Sequence, residues 1–188
     1  MKVLVCITLA VATLGTAPSA QRKANQGPEF FNVTAQVSGQ AGSAAASMKL
    51  QLDRYVADSD REAVTQALKT GGTTAFLEAL RKAPALGKLT AGNKTFTVRW
   101  ATQVPVKNGR MIVVVTDSPL FFVGGGEVDA KPREGYDVGV LRFDYGDTGI
   151  GEGIMAAAAR VKPGGPTGVQ VDDYAQQPIK IRLMKAYS

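Results

Sequence analysis

The sequence contains no histidine and a single cysteine, Cys6. Without an imidazole, no side chain has an ordinary pKa near neutrality, so a Ser-His-Asp constellation and a histidine-ligated zinc or copper site are excluded. One thiol near the N-terminus leaves no disulfide within the chain and no thiolate pair for metal binding or redox exchange. Any catalysis would rest on carboxylates, Lys, Tyr or Ser. Concentrated charge is also lacking, since no basic run exceeds Arg22-Lys23 or Arg81-Lys82. A basic stripe interleaved with aromatics is therefore missing, and nucleic acid is not expected as a partner.

Long hydrophobic runs are few, and the first has a special character. Lys2 precedes the apolar stretch from Val3 to Leu14, and Ala17-Pro18-Ser19-Ala20 follows it. This order of charged, apolar and small-residue regions reads as a secretory signal over residues 1–20. The stretch is short of the about 20 residues needed to cross a bilayer, so no transmembrane span is expected after cleavage. Removing it takes away one base and no acid, leaving 22 − 1 = 21 basic and 16 acidic residues. The expected location is secreted or periplasmic. Residues 21–28 are polar and expected to be disordered, and residues 29–188 have the length of a single domain with a sizeable core.

The densest apolar run of that domain is Met111 to Val115, with four of its five residues β-branched. It predicts a strand buried on both faces. Asp117-Ser118-Pro119 breaks the run, Leu120 to Val123 resumes it and three glycines end it, so two apolar arms meet at a Pro-containing corner. Upstream, Asn108-Gly109 is a hairpin signal that pairs this strand with Thr95–Gln103, where Phe96, Val98 and Trp100 alternate with polar residues. Earlier in the chain, Phe31, Val33, Ala35 and Val37 alternate, as do Met48, Leu50 and Leu52, giving a hairpin across a small-residue loop from Gln40 to Ser47.

Between these hairpins two short amphipathic helices are predicted. Asp58 or Ser59 is placed to cap the first, with Glu62 at capping-box spacing from Ser59. Its apolar face is Val64, Ala67 and Leu68, and Gly71-Gly72 ends it. The second carries Phe76, Leu77 and Leu80 and stops before Pro84. Such a pair can cover a sheet face or plug a barrel end.

After the Gly-rich loop Gly124–Gly135, further strands are predicted over Tyr136–Tyr145, Ile154–Val161, Thr167–Val171 and Pro178–Met184. The stretch from Gly149 to Val161, GIGEGIMAAAARV, resembles the opening of a dinucleotide-binding unit, with Asp172 and Asp173 at a suitable distance. The preceding strand alternates rather than being continuously apolar, and the Ala-rich run is short for the required helix. A small-residue strand that admits a close neighbour fits better, and no cofactor is expected. The fold class predicted is α+β, mainly antiparallel β: a barrel or two-layer sandwich of about eight strands with one inserted helical pair.

Candidates for chemistry are few. Asp172-Asp173-Tyr174 could hold a cation or supply an acid, but adjacent residues of an extended segment face opposite ways unless a bulge intervenes. Asp117 could act from the end of the buried strand or could simply accept turn N-H bonds. Either Asp117 or Asp173 could pair with an acid of the long loop in a glycosidase-like site. For binding, Glu127, Asp129, Lys131 and Arg133 in that loop and Tyr174 are the candidates, and no metal site is expected. Thr116-Asp117-x-Pro119 together with Asp173-Tyr174-Ala-x-x-Pro178 resembles exported bacterial proteins to which no activity is assigned. That resemblance implies export and a single domain, and no residue role. The reading favoured is a non-enzymatic envelope or secreted module that binds a small ligand or an envelope partner. The alternatives are a carboxylate-dependent hydrolase and a carrier of a small apolar ligand inside a barrel.

Overall fold

The computed structural model describes residues 27–39, 42–120, 134–175 and 177–186; the signal-like segment and most of the Gly124–Gly135 loop lie outside them. Strands β1 (Glu29–Gly39) and β2 (Gly42–Leu52) form a hairpin, and helix α1 (Asp58–Lys82) follows. Strands β3 (Gly87–Ala91), β4 (Lys94–Val106), β5 (Gly109–Thr116), β6 (Val138–Gly146) and β7 (Ile150–Pro163) continue an antiparallel meander. The last two strands, β8 (Val169–Tyr174) and β9 (Ile179–Ala186), run along one edge of β7, β9 beside Ile150–Met155 and β8 beside Ala159–Pro163. Because β9 also pairs with β1, the sheet closes into a barrel of eight strands, with β8 as an extra strand.

An eight-stranded barrel has a lumen just wide enough for side chains to fill. Phe31, Leu50, Leu89, Ile112, Phe143 and Leu183, each no more than 1% exposed, share that interior. Phe31 meets Phe143 and Tyr145 edge on, with ring centroids 5.7 and 5.3 Å apart. A second apolar cluster lies outside the barrel, where Val64, Leu68, Phe76, Leu77 and Leu80 of α1 cover Trp100, Val113, Val115, Val138 and Ala159. Strand β5 feeds both layers, Ile112 and Val114 inward and Val113 and Val115 outward, as its β-branched run predicts.

Several expectations are corrected in detail. The predicted loop over Gln40–Ser47 is mostly strand, since β2 begins at Gly42 and its small residues pair with β1. Strand β3 was not anticipated: its five residues form a short rung between β2 and β4, too brief for a periodic signal. Val98 and Trp100 do not share a face. The register of β4 shifts between them, so Val98 enters the lumen while Trp100 lies under the helix. Neither Asp58 nor Ser59 caps α1; the cap is Ala57, with no side-chain hydrogen bond. The two predicted helices are one element broken at Gly72, whose φ of 65° and ψ of −157° are non-helical and open to glycine.

The ambiguous GIGEG stretch belongs to strand β7, not to a helix opening. Its glycines serve close approach: a Cβ on Gly153 would lie 2.0 Å from the Arg142 carbonyl oxygen and 2.6 Å from the Phe143 Cα. The barrel seam between β6 and β7 therefore needs glycine there.

One end of the lumen is closed by polar side chains. Glu29, 2% exposed, takes a bidentate pair from Arg110, with Oε1 2.5 Å from Nη2 and Oε2 3.0 Å from Nη1. Tyr55 donates to the same carboxylate, and Arg110 Nη1 also donates to Gln103 Oε1 at 2.6 Å. The guanidinium stands 5.4 Å from the Tyr145 ring centroid. Burial disfavours the charge on Arg110, but the hydrogen bond to Glu29 and the charges around it hold its pKa above the ordinary value. Burial, then the Glu29 hydrogen bond and charge, push the Tyr55 phenol far above its ordinary range, against the opposing pull of Arg110.

Two outcomes follow. Gly153→Val should lower stability by about 3 kcal/mol or abolish folding, while Gly27→Ala, in open space, leaves the melting temperature unchanged. For Tyr55 the folded state keeps its proton above pH 10 while the unfolded chain loses it, so this contribution to stability is intact below about pH 10 and falls above it. The slope is about 1.4 kcal/mol per pH unit. Urea denaturation between about pH 9 and 11 should show the decline in the wild type and a component of that size missing in Tyr55→Phe.

Candidate functional site

The sequence candidates fall into two ion-paired clusters. A bulge opposite the end of β5 leaves Arg99 as the extra residue of β4 and frees its side chain from the barrel wall. Arg99 Nε donates to Asp117 Oδ2 at 3.1 Å, and Nη1 donates to the carbonyl of Ala83, after the end of α1, at 2.7 Å. Asp117 therefore ties β5 to β4 and the helix end through Arg99, rather than accepting turn N-H bonds. The neighbouring Thr116 hydroxyl donates to Ser118 O at 2.7 Å and accepts from Gly139 N at 3.1 Å, and Leu120 is fully buried beneath this corner.

The second cluster is Asp172-Asp173-Tyr174, and here the bulge that convergence requires is present. Arg160 pairs with Asp173 and Val161 with Val171, so Asp172 is the extra residue of β8. Both carboxylates thereby reach Arg160, Asp172 at 3.2 Å and Asp173 at 3.5 Å, and Lys162 adds a contact of 3.0 Å to Asp172. Tyr136 donates to Asp173 Oδ2, and the Arg160 guanidinium lies 5.6 Å from the Tyr136 ring centroid. The Lys162 hydrogen bond is the main cause that holds the Asp172 carboxyl below its ordinary pKa. Two cations already compensate these acids, and a divalent ion would have to displace them. Among the described residues no group of three or more acids, Cys or His is arranged to hold a metal. Glu127, Asp129, Lys131 and Arg133 lie outside the described residues.

Of the described residues proposed from sequence for catalysis or binding, Tyr174 borders a cleft. That cleft, about 400 Å³, lies on the outer wall of the barrel. Its floor is Met111 and Val113 of β5, Val140 of β6, and Ile154 and Ala156 of β7. Val169, Val171 and Tyr174 of β8 form one wall, Gln170 and Arg142 give it a polar rim, and the buried Thr167 beneath it donates its hydroxyl to Val169 O. The long strand β7 creates it. Beyond Ala159, β7 has no β6 partner and carries β8 outward as a two-stranded arm. The arm is anchored beside the helix: Val169 joins the outer cluster, and a Cβ on Gly168 would stand 3.3 Å from Thr65 Oγ1 and 3.8 Å from Trp100 Cζ2. Trp100 Nε1 and Thr102 Oγ1, both buried in this region of the outer wall, have no hydrogen-bond partner among the described residues.

A second hollow of about 340 Å³ lies on the opposite part of the wall, around Asn32, Thr34, Ser47, Lys49 and Thr90. Both clefts are outside the barrel, whose interior is occupied by the described core side chains. The sequence carried one signal of the first cleft: on the face of β6 that carries Val138 and Val140, the apolar residues give way to Arg142 and Asp144.

The fold and clefts define a closed antiparallel barrel with a helix and a strand arm on its outer wall. No family model, curated protein or solved structure matches the chain.

Asp117 and Asp172 separate by measurement. Asp117→Asn weakens the pair that links β4, β5 and the helix end, both members of which are largely sheltered, and should cost about 1.5 kcal/mol in urea denaturation. Asp172→Asn, at an exposed network, should leave the urea midpoint nearly unchanged.

Proposed function

We propose that this chain is an exported, non-enzymatic binding module that seats a small ligand in the cleft between β5, β6 and β7 and the β7–β8 arm. The observation that carries this reading is the apolar, concave floor with a polar rim on the outside of a barrel whose interior holds the described core side chains. A volume of about 400 Å³ is within the range of small-molecule sites, which combine an apolar lining with a few polar groups that orient the ligand. The occupied lumen favours this outer seat over a ligand carried inside the barrel. The hydrolase alternative needs two carboxyls across a cleft, one free to donate and one to accept a proton or attack. Asp117, Asp172 and Asp173 each face a cation instead, which supports binding over hydrolysis.

Ile154 is half-buried in the floor, so a long charged side chain there fills the cleft without disturbing the lumen. Screening the mature chain against small amphipathic compounds by thermal shift should find ligands that raise its melting temperature. The same compounds should not stabilise Ile154→Arg, whose unliganded melting temperature stays within about 2 °C of wild type. Equal stabilisation of both proteins would place the ligand elsewhere.

A further inference from the structure

We infer that the cleft selects an anionic amphiphile, a compound with a carboxylate head and an apolar body, and that Arg142 receives the head. This rests on the cleft being the ligand seat. The register places Val113, Arg142, Ile154 and Lys180 in one row across β5, β6, β7 and β9, all on the outer face. Ile154 in the floor is thus flanked by two cations. Arg142 is exposed and lines the cleft; its Nε donates to Met111 Sδ at 3.1 Å, which draws the guanidinium over the apolar floor. A thioether is a weak acceptor, and no carboxylate among the described residues lies within 4.0 Å of this guanidinium. By contrast, Arg61, Arg99, Arg110 and Arg160 each hold an acid.

The neighbouring rows give the ligand a direction. On one side, Met111, Asp144, Glu152 and Arg182 stand in register; the two acids lie beside Arg142 and Ile154 and repel an anion there, while Arg182 ends the row on β9, beyond Glu152. On the other, Val115, Val140 and Ala156 are apolar and buried. An anionic head therefore settles at Arg142, where the fork of guanidinium donors matches a carboxylate, and the apolar body runs over Val140 and Ala156 toward Val169. A cationic head at the same place would meet Arg142 and Lys180 and be rejected.

Calorimetric titration of the mature protein with decanoate and decyltrimethylammonium below their micelle concentrations, and with decanol below its solubility limit, tests this. Decanoate should bind, more weakly as salt rises, and decyltrimethylammonium should not. Arg142→Gln should weaken decanoate by about tenfold or more and leave decanol unchanged, Arg142→Lys should recover part of the loss, and Lys88→Gln, exposed on β3 and outside the cleft, should have no effect. Decanoate binding to Arg142→Gln as tightly as to wild type, or equal binding of the cationic probe, overturns the anion assignment. Decanol binding that Ile154→Arg abolishes, without any decanoate binding, also overturns it while preserving the cleft as the seat. Failure of all three probes, with no screened compound distinguishing wild type from Ile154→Arg, overturns both.

Discussion

Strand β5 buries Ile112 and Val114 in the barrel and Val113 and Val115 outside it, so neither of its faces can be left to water. Each such side chain contributes about 1.5–3 kcal/mol when buried, and that gain requires an apolar layer on both sides. The inner layer is the opposite wall of a narrow barrel. The outer layer is α1, lying across β4 to β7 although it is inserted between β2 and β3. A straight helix of 25 residues would extend well beyond a curved wall; the break at Gly72 divides it into two shorter pieces that both keep apolar faces on the barrel. Breaking the helix thus serves the same demand that the five-residue run in β5 creates.

Alternation explains what could be read from the chain and what could not. Where a strand keeps a period of two, as in Phe31, Val33 and Ala35 or Leu141, Phe143 and Tyr145, its inward face is legible. Where one residue is added, the faces exchange and the same rule misleads. The bulge at Arg99 separates Val98 from Trp100, and β7 gains a residue between Ala156 and Ala159 opposite Val138 and Val140. After that insertion Ala159 and Val161 face the helix layer along with Ala156. A bulge is fixed by two strands together, so a single stretch of sequence cannot announce it. The same holds for the choice of barrel over sandwich, which turns on the β9–β1 and β6–β7 pairings at the seams. Gly151 and Gly153 were the visible trace of one seam and resembled a phosphate-binding loop because both uses need a backbone without side chains.

The ionisable groups follow a consistent division. The most deeply placed acid among the described residues, Glu29, is held by Arg110 and Tyr55 and closes one end of the lumen, where an unpaired carboxylate would be costly. Asp117 and the Asp172-Asp173 pair, attractive as catalytic acids in sequence, spend their charge on Arg99, Arg160 and Lys162. Their partners come from other strands, which is why spacing alone left the structural and chemical readings open. Arg142 is different in kind: a cation between Val113 and Ile154 whose hydrogen-bond partner among the described residues is a sulfur.

The cleft itself is a consequence of how β7 ends. Eight strands are enough to close the barrel, and the length of β7 beyond Ala159 is surplus to that closure. Its pairing with β8 makes an arm, and Val169 and Gly168 pin that arm beside Trp100 and Thr65. Since no residue of α1 lines the cleft, the helix and the arm cover different parts of the same apolar outer face. What remains between them is a hollow bounded by four pieces of chain, from β5, β6, β7 and the stretch 165–174, invisible to any local motif. A protein concerned only with burial could close this hollow by extending the helix cover or shortening the arm. Keeping it open, with an arginine laid over its floor, is the arrangement that a ligand with both apolar and charged parts would use.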